Sequence, residues 1–220
     1  MAAPAPWQLQ AARWIRPVAW IGGLVPLLLM VLAAFTTGLS ADPIKEVTHR
    51  TGWAALLMLM LSLSVTPLRA LTRWNWLAPV RRTLGLCAYG YAVVHFLIYM
   101  VDQGFSWGYI TEDILERPYV TVGFAALVIL TPLALTSTKG MIRRLGKRWQ
   151  KLHRLVYVAA GLGVLHFLWL VKKDLREPLI FAAVLAVLLL FRVLPIGKAK
   201  KQKRDPPRRA PAPERPAVRG

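Results

Sequence analysis

The chain has 220 residues, 56% of them apolar, with 29 Lys and Arg against 10 Asp and Glu for a net charge of +19. That apolar fraction excludes an ordinary soluble domain and indicates a membrane protein. The charge raises nucleic-acid binding, but the basic residues lie between apolar runs and in a tail, not along one folded face, which argues against it. The single cysteine, Cys87, excludes an intrachain disulfide and any Cys-based zinc or iron–sulfur site, leaving four histidines as ligand candidates.

Residues 1–16 read as a cytoplasmic N-terminal arm. Arg13 and Arg16 precede an apolar run, but no A-x-A cleavage site follows, so the run is expected to be a retained first helix and not a signal peptide. A transmembrane helix needs about 20 predominantly apolar residues. Six stretches qualify: about 17–39, 51–68, 82–101, 119–135, 152–171 and 178–194. Pro17 is expected to start the first and Pro26 to kink it, while Thr66-Pro67 closes the second. The expected fold is an all-α membrane protein, a six-transmembrane-helix bundle over residues 17–195, because an open sheet cannot satisfy its backbone in lipid.

Lys and Arg cluster before the first helix, between the second and third, and between the fourth and fifth. The other connections are charge-balanced or acidic, segment 102–117 carrying Asp102, Glu112, Asp113 and Glu116 against Arg117 alone. This asymmetry predicts both termini in the cytoplasm. From residue 196 the composition shifts to a Lys-, Arg- and Pro-rich tail, expected to be disordered and drawn to anionic lipid, with docking to a soluble acidic partner as the other reading.

Ionisable residues inside apolar spans usually face an interior and carry function. His95 lies 13 residues along the third helix from Arg82, and His166 lies 15 residues beyond Lys151 on the fifth. The two helices run in the same direction, so both histidines sit at similar depth, roughly 20 Å up at 1.5 Å per residue. Two neutral imidazoles from neighbouring helices suit the axial positions of a low-spin heme. Each ring's other nitrogen needs an acceptor, and Tyr91 and Tyr99, one turn either side of His95, are the candidates. Proton relay and plain helix-packing hydrogen bonds are the competing readings of the pair.

His153 lies in the basic approach to the fifth helix, 13 residues from His166 and about 140° around it, so the two do not share a face. The third helix offers Arg81 and Arg82 where a partner is wanted. His153 is therefore open to ligating a second heme with another partner, contacting a heme propionate, binding a flavin phosphate beside Arg148 and Lys151, or being a solvated interfacial residue. His49 reads as a polar group at a helix entry. Ala159, Ala160, Gly161 and Gly163 would let the fifth helix approach a neighbour or a flat macrocycle. Intramembrane Asp or Glu chains, which a six-helix transporter or channel with a histidine proton relay would need, are absent from the predicted spans.

The strings THRTG (48–52), TPLR (66–69), the arginine pair at 81–82 followed by His95, RPYVTVGF (117–124), PLALTSTKG (132–140) and RRLGKRWQKLHRLVY with LHFLWL resemble the MsrQ family, formerly YedZ, over about residues 40–195. The resemblance implies a ferric-reductase-like transmembrane domain in the bacterial inner membrane, binding heme b and also FMN. It implies electrons from the quinone pool or a cytosolic flavin reductase passing to a periplasmic molybdopterin-containing methionine-sulfoxide reductase. His95, His153 and His166 match the family's histidines. The broader ferric-reductase and NADPH-oxidase group has two histidines on each of these helices, and here Arg81 stands in for the inner one on the third.

Overall fold

The computed structural model describes residues 6–194 except 37, 39 and 173. The predicted tail therefore lies outside the described residues. Among the described residues, nine α-helices follow in order: α1 (Pro6–Thr36), α2 (Pro43–Thr72), α3 (Ala78–Asp102), α4 (Trp107–Glu116), α5 (Pro118–Leu135), α6 (Lys139–Leu145), α7 (Lys147–Leu152), α8 (Val156–Leu170) and α9 (Arg176–Val193). Short 3₁₀ turns at Asn75–Leu77 and His153–Leu155 precede α3 and α8. No strand occurs among the described residues.

Local chemistry sets the helix ends. Asp42 caps α2 by accepting the Lys45 amide at 3.2 Å, with Pro43 behind it in the first turn, where a missing N–H costs nothing. At the other end Arg73 takes the left-handed conformation (φ 60°) and its N–H returns to the Arg69 carbonyl. Pro118 opens α5 in the same way.

Proline positions depart from expectation twice. Pro17 lies inside α1, which starts at Pro6: the good helix formers Gln8 to Ala12 nucleate the helix early, and one lost hydrogen bond does not stop it. Pro67 likewise does not close α2, which continues to Thr72. Pro26 leaves the Gly22 carbonyl without its usual donor. Beside it the Tyr91 hydroxyl donates to the Gly23 carbonyl at 2.8 Å and accepts the Leu27 N–H at 3.1 Å, bridging the two groups of the next rung.

Two antiparallel pairs form the centre, α2 on α3 and α5 on α8, joined side to side through α3 with α5 and α2 with α8. The apolar centre includes Ala54, Leu59, Ala88, Ala159, Ala160 and Val164. α1 lies outside against α3, close enough that a Cβ on Gly23 would come 2.5 Å from Cys87 Sγ. α9 packs on α8 and α2, with Phe181 edge-on to Phe167 and to Trp53, each at 6.1 Å. Outward faces carry exposed Leu28, Leu29, Val187 and Leu190, as lipid-facing helices do.

Among the described residues, five helical segments are long and apolar enough to cross a membrane: Trp14–Thr36, Pro43–Thr72, Asn75–Asp102, Pro118–Leu135 and Lys147–Leu170. The sixth expected span, α9, has 18 residues but carries Arg176 and Glu177 at one end and Arg192 at the other. The count shown by length and composition is thus five, and the chain is a multi-pass all-α membrane protein.

Candidate functional site

His95 on α3 and His166 on α8 meet inside the four-helix centre. Their ring centroids are 6.1 Å apart and their planes cross at 81°. His95 Nδ1 lies 2.8 Å from the Thr48 carbonyl on α2, and His166 Nδ1 lies 2.7 Å from the Tyr119 carbonyl on α5. A carbonyl only accepts, so each Nδ1 carries the ring proton and each Nε2 keeps a lone pair. This is the state of a metal-ligating imidazole oriented by a backbone acceptor.

The spacing fits one metal ion between the rings: two metal–nitrogen bonds of about 2.0 Å, with each ring centre set back behind its nitrogen, require ~6 Å between centroids. Among the described residues no group of three or more His, Cys, Asp or Glu could hold a metal ion. Two facing imidazoles, with no further protein ligand among the described residues, would suit a metal that brings its own remaining donors, as a heme does.

Glycines make the close approach possible. A Cβ on Gly52 would lie 3.0 Å from His95 Nδ1, and one on Gly123 only 2.7 Å from His166 Nδ1. Each glycine stands one turn after the residue whose carbonyl holds the facing ring. The small residues read from sequence on α8 divide: Ala159 and Ala160 are fully buried in the helix contact, Gly163 approaches Leu56, and a Cβ on Gly161 would meet nothing within 4 Å.

Tyr91 and Tyr99, expected to accept from the far nitrogen of the imidazoles, do not do so. Tyr91 is bound to α1, and the Tyr99 hydroxyl donates to Asp113 at 3.1 Å. Main-chain carbonyls fill the role because α2 and α5 lie closer to the rings than any tyrosine on the histidines' own faces.

His153 stands apart from the pair, in the 3₁₀ turn before α8. Its Nε2 is 3.2 Å from Thr136 Oγ1, and its ring lies against Trp149 at 3.9 Å between centroids, with Trp149 Nε1 donating to the Thr136 carbonyl at 3.0 Å. Arg81 donates from Nη1 to Thr66 Oγ1 at 3.2 Å and is within electrostatic reach of His153. Arg82, Arg148 and Lys151 are exposed. His49 is also exposed, its ring edge-on to Phe167 at 5.7 Å.

Thr48, Tyr119, Gly52 and Gly123 are site residues that the spacing of histidines alone does not reveal. The signal for them is an internal repeat: Thr48 and Tyr119, Gly52 and Gly123, and His95 and His166 are each 71 residues apart. Gly52-Trp-Ala-Ala-Leu56 aligns with Gly123-Phe-Ala-Ala-Leu127, and His95-Phe-Leu97 with His166-Phe-Leu168. In both halves the histidine follows its carbonyl partner by 47 residues. The same offset places Arg82 opposite His153.

Comparison with known proteins agrees with this architecture. The family described as "Ferric reductase like transmembrane component" matches residues 51–164, half of the chain. A protein of Deinococcus radiodurans named "Protein-methionine-sulfoxide reductase heme-binding subunit MsrQ" is 52% identical over 181 residues, covering 82% of this chain and 90% of that protein. Relatives with the same name in Herminiimonas arsenicoxydans (47% over 194 residues) and Rhodospirillum rubrum (48% over 195) each cover 86% of this chain and 88% of their own length. The chain belongs to the MsrQ family, a member of the ferric-reductase-like transmembrane group.

Proposed function

We propose that the chain is a membrane electron-transfer subunit. Electrons from the quinone pool or a cytosolic flavin reductase pass through heme b held by His95 and His166 to a periplasmic molybdopterin-dependent protein-methionine-sulfoxide reductase, which repairs oxidised envelope proteins. The observation that carries this reading is the pair of imidazoles 6.1 Å apart, each with Nδ1 fixed to a carbonyl and Nε2 free. A heme held by both imidazoles would supply one-electron transfer and not substrate chemistry. The names of the relatives, which speak of a heme-binding subunit of a protein-methionine-sulfoxide reductase, support the same role.

Under this reading the protein lies in the bacterial inner membrane, with the basic end of the bundle and both termini cytoplasmic. His153, Trp149 and Arg81 line the entry side, where a quinone head group or the phosphate of FMN would meet Arg82, Arg148 and Lys151. A second heme on His153 would need a ligand other than a histidine of the third helix, where Arg81 and Arg82 stand. The exposed Phe105, Trp107 and Tyr109 at the opposite end are the contact for the periplasmic partner. A proton-relay transporter is disfavoured, because the five spans carry carboxylates only near their ends, at Glu46 and Asp102.

The test is the absorption spectrum of the protein purified in detergent. Dithionite should give sharp b-type bands, which His95→Ala or His166→Ala removes and His153→Ala retains. Absence of bands in the native protein would overturn the electron-transfer reading, and bands that survive the two replacements together would overturn the ligand pair.

A further inference from the structure

A second polar cluster lies just beyond the histidine pair, at the end of the bundle covered by α4. Asp113 points inward from α4 and is only 8% exposed, as is its neighbour Ile110 at 2%, whereas Trp107 and Leu115 face outward. A carboxylate so placed is costly unless paired. Its Oδ1 is 3.1 Å from Arg117 Nε, and its Oδ2 accepts the Tyr99 hydroxyl at 3.1 Å.

Both partners lead back to the axial histidines. Tyr99 is one helical turn beyond His95 on α3. Arg117 directs Nη1 to the Tyr119 hydroxyl at 3.5 Å, and the carbonyl of Tyr119 is the group that holds His166. The Tyr119 hydroxyl and the Asp113 carboxylate both raise the pKa of Arg117, so the guanidinium stays charged. The cluster ties α3, α4 and α5 together across the end of the bundle.

The repeat shows that this arrangement belongs to one half only. The residues 71 positions earlier are Asp42 and Glu46, whose partners are local and exposed: Lys45 for Asp42, and Arg50 with the Ser40 amide for Glu46. Among the described residues, neither carboxylate has a hydrogen-bond or ion-pair partner on a neighbouring helix, as Asp113 has in Tyr99.

We propose that the Asp113–Arg117 ion pair, locked by the Tyr99 hydroxyl, is the positioning element of the redox site, holding Tyr119 against His166 and keeping two opposed charges in balance beside the heme. The inference rests on the bis-histidine heme reading above. A negative charge near the iron favours the ferric state and a positive one the ferrous state, so the pair balances itself while intact.

Potentiometric titration of the purified full-length protein, followed at the b-type bands, separates the cases. Asp113→Asn keeps the shape but leaves Arg117 unopposed, and should raise the potential. Arg117→Gln leaves Asp113 unopposed and should lower it. Each shift should correspond to a three- to tenfold change in the ferric/ferrous equilibrium, about 28–59 mV for one electron. The double variant should return to within threefold of the native value. Unchanged potentials, or shifts of the same sign in both single variants, would overturn the proposal, since a merely structural role cannot invert with the sign of the charge removed. If Asp113→Asn fails to retain its bands, Arg117→Gln and the double variant decide by the same criteria. A native protein without b-type bands would instead overturn the heme reading on which the inference rests.

Discussion

Each imidazole of the pair is oriented by a main-chain carbonyl, so its direction is fixed by the path of the facing helix and not by another side chain. That arrangement demands glycine opposite each ring. At Gly123 the clearance is the smaller: a methyl group there would sit 2.7 Å from His166 Nδ1 and 2.9 Å from Cε1. Gly123→Ala should therefore displace the ring from Tyr119 and reduce heme affinity by about 10–100-fold, the usual cost of losing a ligand's outer partner. The heme-to-protein ratio after purification measures it. Gly52→Ala, with its nearest approach at 3.0 Å, should lose less. From the sequence, the two histidines were legible as ionisable groups at matched depth. Their carbonyl partners were not, because any residue type supplies a carbonyl and only the approach of α2 and α5 selects Thr48 and Tyr119.

At the scale of elements, the helices follow from apolar runs, but their ends and defects follow from neighbours. Pro17 and Pro67 looked like boundaries because a proline removes a donor. Yet a single missing bond is small beside the cost of exposing a run of backbone groups to lipid, and both helices continue. α1 shows added support beside Pro26, since the Tyr91 hydroxyl bridges the Gly23 carbonyl and the Leu27 N–H. Tyr91→Phe would leave the Gly23 carbonyl and the Leu27 N–H competing for a distorted contact in apolar surroundings. It should destabilise the protein by about 1–3 kcal/mol, the cost of an unsatisfied buried polar group. Thermal unfolding in detergent should reveal the loss, with the b-type spectrum of the folded fraction unchanged, because Tyr91 does not touch His95's acceptor.

For the whole molecule, two similar hairpins form a ring of four helices, and the additions break the symmetry. α9 inserts Phe181 between Trp53 and Phe167, whereas the equivalent contact in the other half, Phe96 with Phe124 at 5.7 Å, is direct. α9 also runs antiparallel to α8, since Phe181 meets Phe167 while Arg192 lies 4.8 Å over the Tyr157 ring, ten residues earlier on α8. This extent of contact along α8 predicts that α9 crosses the membrane although its charged ends keep it from qualifying on composition. Reporter fusions at the two termini should then read the same side of the membrane. Opposite sides would mean that α9 does not cross.

The sequence by itself determined the all-helical membrane class, the approximate spans and the two histidines, because lipid enforces helices and makes ionisable side chains conspicuous. It also contained the 71-residue repeat, which pairs the glycines and the carbonyl acceptors with the histidines. Only the tertiary structure decided which Nδ1 meets which carbonyl, that His153 turns its Nε2 to Thr136 away from the pair, and that Asp113 lies buried against Tyr99 and Arg117. The physical reason is that hydropathy and helical period fix depth and face, whereas hydrogen bonds between helices depend on distances and rotations that only packing sets.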